Sequence, residues 1–343
     1  MKKALQNISY LLAATIICLS AETFAQQEGH YLNMASNPFM LNPAAGGLSD
    51  VAHLELSSRN QWTGYNGGPR SVLFVGHSQF KVGEKSKNPL KEFNTDNAML
   101  FQSPERSTGK MKHILGGKAV YDAIGPFVKT SIYGSYAFHL PFTKKVNFGA
   151  GIGLGWSNLG ILQDRVVLYE ADDAAYNQFL GNTSNQNILD ANAGIVFYSE
   201  NLFVGLSTTQ LLKNSVEFDD VVTSSNFNRH YFFVTKYNFA LSEQFSIEPT
   251  VVAKYVKNSP FSVDFGARFI YNKASWFAFQ YRTSNALTFQ FGTNIVKNIY
   301  ASYGFELGTG SLRTVTSGTH ELQLGFYIGK NRNTSKEIKD SAK

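Results

Sequence analysis

From about Arg229 onward, apolar and polar residues alternate in short runs separated by brief polar breaks. Phe245, Ile247, Pro249, Val251, Ala253 and Tyr255 alternate with Ser246, Glu248, Thr250, Val252 and Lys254. Val263, Phe265, Ala267, Phe269 and Tyr271 alternate in the same way with Ser262, Asp264, Gly266 and Arg268. A period of two puts one set on each face of a strand. A soluble sheet would bury its apolar face under a second layer, and no amphipathic helix is left in the sequence to supply one. The charges Glu248, Lys254, Asp264 and Arg268 all fall on the opposite face. Strands that are apolar outside and polar inside predict an all-β fold, a transmembrane antiparallel β-barrel.

Alternation and turn residues together predict about fourteen strands. They are expected at Val51–Arg59, Ser71–Phe80, Ile114–Asp122, Val128–His139, Lys145–Trp156, Ile188–Tyr198 and Leu202–Thr208. The rest are expected at Arg229–Ala240, Phe245–Val256, Ser262–Tyr271, Ser275–Thr283, Leu287–Ile295, Ile299–Leu307 and Thr319–Ile328. Connection lengths test the count, because barrels of this kind have short periplasmic turns and long outer loops. With the N-terminus in the periplasm, the short breaks at 140–144, 199–201, 241–244, 272–274 and 296–298 share one end. The long breaks at 157–187, 209–228 and 308–318 share the other. The connection from Lys81 to His113 is long yet falls on the periplasmic side. In the last strand, Leu322, Leu324, Phe326 and Ile328 are expected to face lipid, and Glu321, Gln323, Gly325 and Tyr327 the lumen.

The first residues bear on compartment. Lys2 and Lys3 precede the apolar stretch Ile8–Leu19, and small residues follow at Ser20, Ala21 and Ala25. This reads as a signal peptide, residues 1–25, too short to span a bilayer as a helix. Ile17 before Cys18 does not fit lipidation, so the single cysteine leaves with the leader and excludes disulfide and thiol chemistry. Domain organisation follows: a segment 26–50 whose Tyr31–Asp50 stretch has two prolines and no alternation, and which could plug the lumen; a barrel over 51–329; and a flexible basic tail over 330–343. The formal net charge of +6 is concentrated in that tail and in Lys81–Lys112. The remainder is close to neutral, which argues against a nucleic-acid partner. The expected location is the outer membrane, with lipid around the barrel and both termini periplasmic.

Short motifs recur in a definite order: Asn42-Pro43-Ala44-Ala45-Gly46, Arg59-Asn60-Gln61-Trp62, Gly67-Gly68-Pro69, Asp122-Ala123-Ile124-Gly125-Pro126, Tyr133-Gly134-Ser135-Tyr136-Ala137 and Ser317-Gly318-Thr319-His320-Glu321. In these the chain resembles the PorP/SprF family of outer-membrane proteins of the type IX secretion and gliding machinery. The resemblance implies a non-enzymatic barrel that works with that machinery. Some members belong with its periplasmic motor and ring. Others secrete or attach a large adhesin, often through the C-terminal domain of that cargo. The long basic loop 81–112 departs from the family pattern. The signature residues Asn42, Pro43, Arg59, Gln61, Trp62, Gly68, Pro69, Gly125, Pro126, His320 and Glu321 are expected to be structural, and Arg59, Gln61, Trp62, Gly68 and Pro69, near the first outer loop, to be a partner surface second.

The remaining candidates are weighed by position. No His spacing suggests a metal pair or a catalytic array, and His320 and Glu321 point to opposite faces of one strand; no cofactor and no catalytic residue is expected. The inward charges Glu248, Lys254, Asp264, Arg268, Arg282, Glu306 and Glu321 could line a pore, although pairing across the lumen is the simpler reading. A small-solute porin is the alternative function. The acidic loop residues Asp164, Glu170, Asp172 and Asp173, with Glu217, Asp219 and Asp220, match no calcium-loop pattern. Aromatic and apolar residues of the long loops, Tyr169, Tyr176, Phe179, Leu180, Leu211 and Leu212, would suit a protein partner. Lys85, Lys87, Lys91, Arg106, Lys110 and Lys112 could dock a periplasmic ring or lipoprotein component, or simply solubilise the loop.

Overall fold

The computed structural model describes residues 31–49, 51–80, 111–166, 185–212, 215–217, 224–226, 228–284, 286–296 and 298–328. The expected leader and tail, and all of the 81–112 loop except its last two residues, lie outside the described residues. The strands are β1 (Ala52–Asn60), β2 (Arg70–Phe80), β3 (Lys112–Ile124), β4 (Phe127–Pro141), β5 (Asn147–Ile161), β6 (Asn185–Tyr198) and β7 (Leu202–Thr209). Then come β8 (Ser215–Glu217), β9 (Ser224–Asn226), β10 (His230–Tyr237), β11 (Phe239–Ala240), β12 (Phe245–Val256) and β13 (Ser262–Tyr271). The last are β14 (Ser275–Arg282), β15 (Ala286–Val296), β16 (Ile299–Gly308) and β17 (Thr319–Ile328).

Each stave pairs antiparallel with its sequence neighbour. The ring closes where Ala52 to Asn60 of β1 pair with Ile328 to His320 of β17. The strands β8 and β9 form a separate hairpin within one long connection, and β10 pairs directly with β12. Strand β11 continues β10 past a break at Asn238, whose N–H donates to the Asn201 carbonyl at 2.8 Å. The wall is therefore a closed barrel of 14 strands, and no backbone edge faces lipid, where an unmet N–H or C=O would be costly.

Side chains follow the period of two. In β12, Glu248, Thr250, Val252 and Lys254 are buried inside, whereas Phe245, Pro249 and Tyr255 are exposed outside. In β17, Glu321 is 1% exposed and Leu322 beside it 62%. The outer surface carries aromatic pairs near both rims: Phe245–Tyr271 and Phe142–Phe197 at the short-turn end, and Tyr231–Tyr255 and Phe265–Tyr281 at the long-loop end. Such girdles suit the two membrane–water boundaries.

The staves differ in height. Strands β3 to β6 extend beyond their predicted bounds, to 13–15 residues, whereas β7, β10 and β14 have 8. Ser157 to Gly160 break the apolar–polar alternation and fall in the predicted connection, yet they continue β5 by pairing with both β4 and β6. The side chain of Asn158 donates to Asn187 at 3.0 Å. Above the lipid a strand no longer needs an apolar outer face, so the periodic signal ends before the strand does.

Leu154, in the middle of β5 and 65% exposed, tests the membrane reading. Leu154→Arg should destabilise the barrel by roughly 2–4 kcal/mol in lipid vesicles. Leu154→Ala should cost clearly less. Reversible urea unfolding monitored by Trp fluorescence measures both.

Candidate functional site

Residues 31–49 lie inside the barrel. Pro38 and Pro43 fix φ at the starts of two short 3-10 turns, Pro38–Met40 and Pro43–Ala45, which fold the segment into a compact piece rather than a strand. It is held from many sides of the wall. The Leu32 N–H donates to Glu321 at 2.9 Å, and its carbonyl accepts from Gln290 at 2.7 Å. Asn33 donates to Glu55, Lys236 to the Ala35 carbonyl, and Arg268 to the Ser36 hydroxyl. Lys118 donates to the Met40 carbonyl, and His139 Nε2 lies 2.9 Å from the Ala44 carbonyl. Lower down, the Gly47 N–H donates to His77 Nδ1, and Gln79 donates to the carbonyls of Gly47 and Ser49. The chain therefore descends the lumen, from Leu32 beside the loop-side part of β17 to Ser49 at the short-turn end.

Asn42 is the pivot of the segment. Its Oδ1 accepts from the Ala44 N–H at 2.9 Å, while Nδ2 donates to the carbonyls of Ile195 and Leu206 at 3.1 and 3.2 Å. One side chain thus caps a turn and bridges β6 and β7. Glycines on the wall make the room. A Cβ at Gly205 would meet Asn42 Nδ2 at 3.1 Å, and one at Gly151 would meet the Ala44 N at 2.8 Å.

The seat is apolar on one side. Met34, Phe39, Met40, Leu41, Ala44 and Ala45 pack with Leu73, Val75, Val196, Tyr198, Phe203, Phe232, Val234 and Val252 into one buried cluster. These wall residues point inward from β2, β6, β7, β10 and β12, so this part of the lumen has an apolar wall. The opposite side is charged. Arg282 reaches Glu306 at 2.6 Å and Asp264 at 3.0 Å. Arg59 lies 3.5 Å from Glu306 and 4.0 Å from Glu321. Arg268 meets Glu248 at 2.6 Å, with Lys236 4.0 Å away. Of the inward charges singled out from sequence, Glu248, Asp264, Arg268, Arg282, Glu306 and Glu321 are thus brought into ion pairs, and Lys254 is buried at 3% exposure. Near the short-turn end a cavity of ≈ 170 Å³ remains between the segment and the wall, lined in part by His53, Glu55, His77, Lys236, Trp276, Tyr300 and Tyr327. There the Tyr300 hydroxyl donates to Glu55 and also meets His53 Nε2 at 2.9 Å.

Most of the other signature residues meet at the long-loop end. The turn 61–69 is closed by the Gln61 N–H donating to the Pro69 carbonyl at 2.8 Å. It is tied sideways by Thr63 N–H to Gly318 O (2.8 Å), Ser317 N–H to Thr63 O (2.7 Å) and Gly125 N–H to Gly67 O (3.0 Å). The Pro126 carbonyl accepts from the Leu162 N–H at 2.7 Å. No side chain fits at Gly68, where a Cβ would sit 2.7 Å from the Gln61 carbonyl. His320 points outward, with Nδ1 2.6 Å from the Tyr303 hydroxyl, while Glu321 points inward.

Of the candidate partner residues, Leu211 and Leu212 form a turn after β7, and Leu212 is 53% exposed. Tyr169, Tyr176, Phe179 and Leu180 lie outside the described residues, as do Lys85, Lys87, Lys91, Arg106 and Lys110. Lys112 is buried at the start of β3. Asp164 is exposed; the side chains of the other acidic loop residues, Glu170, Asp172, Asp173, Glu217, Asp219 and Asp220, are outside the described set. Sequence reasoning missed the residues that hold the segment, above all Lys118, His139, Lys236 and Gln290. A signal was present: glycines at 149, 151, 153 and 155 repeat at period two on one face of β5, a row of missing side chains that leaves space for something else.

The model of the family described as type IX secretion system membrane protein PorP/SprF matches residues 23–326. The chain belongs to this family. No curated protein matches it. Solved structures similar to this PorP/SprF barrel include the Acinetobacter baumannii outer-membrane protein Omp33, with 12% identity, TM-score 0.42, and coverage of 81% of this chain and 99% of that one. The CymD monoaromatic hydrocarbon channel has 13% identity and TM-score 0.43, covering 88% and 93%. The Pseudomonas putida toluene transporter TodX has 10% identity and TM-score 0.40, covering 88% and 93%. At that similarity they carry no argument about what this PorP/SprF protein does.

Arg282 is the sharpest test of the charged half. Arg282→Met leaves the buried Asp264 and Glu306 without this cation and should cost about 3–5 kcal/mol. Adding Asp264→Asn and Glu306→Gln should recover a large part of it. Thermal unfolding of the wild type and both purified variants in detergent checks the order.

Proposed function

We propose that this outer-membrane barrel of the type IX secretion family is a closed anchor rather than a conduit. It holds a large secreted surface protein at its long-loop end, through the C-terminal domain of that protein. Its short-turn end, with 81–112 and 330–343, faces the periplasm and the secretion machinery. The apolar seat of residues 31–49 carries this reading. A water-filled pore needs a polar wall, whereas Leu73, Val75, Val196, Phe203, Phe232 and Val234 would be stripped of their cover if the segment left. Burial of that size favours a permanent filling over a gate. The orientation rests on the short connections gathered at one end. The function is non-enzymatic, and the long-loop residues Tyr169, Tyr176, Phe179, Leu180, Leu211 and Leu212 belong to the partner side. Lys85, Lys87, Lys91, Arg106 and Lys110 belong to the periplasmic docking side.

The purified protein should give no steady conductance in planar bilayers and no swelling of sugar-loaded liposomes. Deleting 31–49 should open a channel if the barrel still inserts. Affinity purification from native outer membranes should recover a large surface protein, and deletion of 81–110 should lower recovery of periplasmic ring components. Steady wild-type currents with no co-purifying surface protein would establish the small-solute porin instead.

A further inference from the structure

The turn joining β1 to β2 is more elaborate than the hairpin requires. Two adjacent antiparallel strands can be joined by two residues, but here nine residues, 61–69, form a turn that leans on its neighbours on both sides. Thr63 exchanges two backbone hydrogen bonds with the β16–β17 connection, and Gly67 accepts one from the β3–β4 turn. Trp62 adopts φ of +54°, a left-handed conformation unfavourable for a side chain of that size. Gly64 and Gly67, at φ of +92° and +77°, complete the bend. Strain of this kind persists only where the surroundings over-determine it, and it clusters at working surfaces. None of it is needed to close the barrel.

The strained turn displays a particular surface. Tyr65 is 52% exposed and packs edge-on against Trp62, ring centroids 6.5 Å apart. Asn66 and Arg70 are exposed beside it, and Arg313 is exposed in the β16–β17 connection to which the turn is tied. The three tied connections, 61–70, 124–127 and 308–318, contain no Asp or Glu. Trp, Tyr and Arg are the residue types that dominate binding energy at protein interfaces. A fixed backbone presents them without an ordering cost on association. Within these three connections the charged residues are Arg70 and Arg313, both positive, so the surface they complement is acidic.

We propose that the tied turn 61–70 is a preformed docking platform for an acidic segment of the protein held at the long-loop end. This rests on the anchor reading and names the surface that serves it. Trp62 and Tyr65 form the apolar contact, and Arg70 selects for carboxylates. Gly68 and the ties through Gly67, Thr63 and Gly318 act by holding these side chains in place.

Photo-crosslinking in native outer membranes tests it, with p-benzoylphenylalanine replacing Tyr65 in one protein, Leu212 in a second and Phe142, at the short-turn end, in a third. Heat-modified gel migration verifies that each variant is folded. The expected result is a protein adduct at position 65 and not at 142, mapped by mass spectrometry to a segment rich in Asp and Glu. Arg70→Glu in the same protein should lower its yield at least about tenfold, and Arg70→Lys should retain most of it. A lipopolysaccharide adduct, a yield unchanged by Arg70→Glu, or capture of a secreted protein at 212 but not at 65 would overturn the platform and leave the anchor standing. Absence of any secreted protein at both positions, with wild-type purification also empty, would overturn the anchor reading itself.

Discussion

In hydrocarbon a sheet must close on itself, since no water is present to satisfy an open edge. Closure fixes the strand number, and the strand number fixes the width. About eight strands enclose a space that their own side chains can fill; 14 enclose more. That surplus volume must hold water or protein. In this barrel 31–49 occupies much of it, and the fold of that segment follows from the task. Its prolines and 3-10 turns make a compact body, and its backbone polar groups are met by wall side chains such as Glu321, Gln290 and Lys118.

The two halves of the wall meet the segment by different physics. From β2 through β12 the contact is largely apolar, with hydrogen bonds from Asn42 and His139 setting position. From β13 to β1 the lumen is occupied by carboxylate–guanidinium contacts, centred on Arg282 and Arg59. Apolar contact provides affinity without register, and directional polar contacts provide register. A rigid interior moves the adaptable chemistry to the rims, where the chain is longest and least regular.

The wall was largely legible in the sequence, because a strand between lipid and lumen must alternate. The bounds of β12, β13 and β17 agree with those predicted from alternation. Legibility failed where that constraint lapses. Strand β5 runs on to Ile161 because Ser157 to Gly160 pair with β4 and β6 although their alternation has ended, and the short β8–β9 hairpin lies in a connection with no period to read. The partners of the inward residues were also illegible. Alternation says that Glu321 faces inward, but nothing local says that it accepts from the Leu32 amide. The signature residues read as separate fragments, and only the fold places Gln61, Trp62, Gly68, Gly125 and Gly318 in one tied rim.

The hydrogen bond from Leu32 to Glu321 joins residues 289 apart in the chain. Its acceptor lies on β17, the last strand among the described residues, and that strand also seals the ring against β1. Until β17 arrives, the Leu32 amide lacks its acceptor and the charged half of the lumen is missing a wall. Once the ring is shut, no seam remains through which Phe39 and Met40 could enter from the side. The seating of the segment is thus coupled to closure, because one strand both completes the ring and holds the Leu32 amide. Contacts so distant in sequence make for slow folding. A cut in β17 would therefore loosen the interior filling as well as the ring, although the two are separated by almost the whole barrel in sequence.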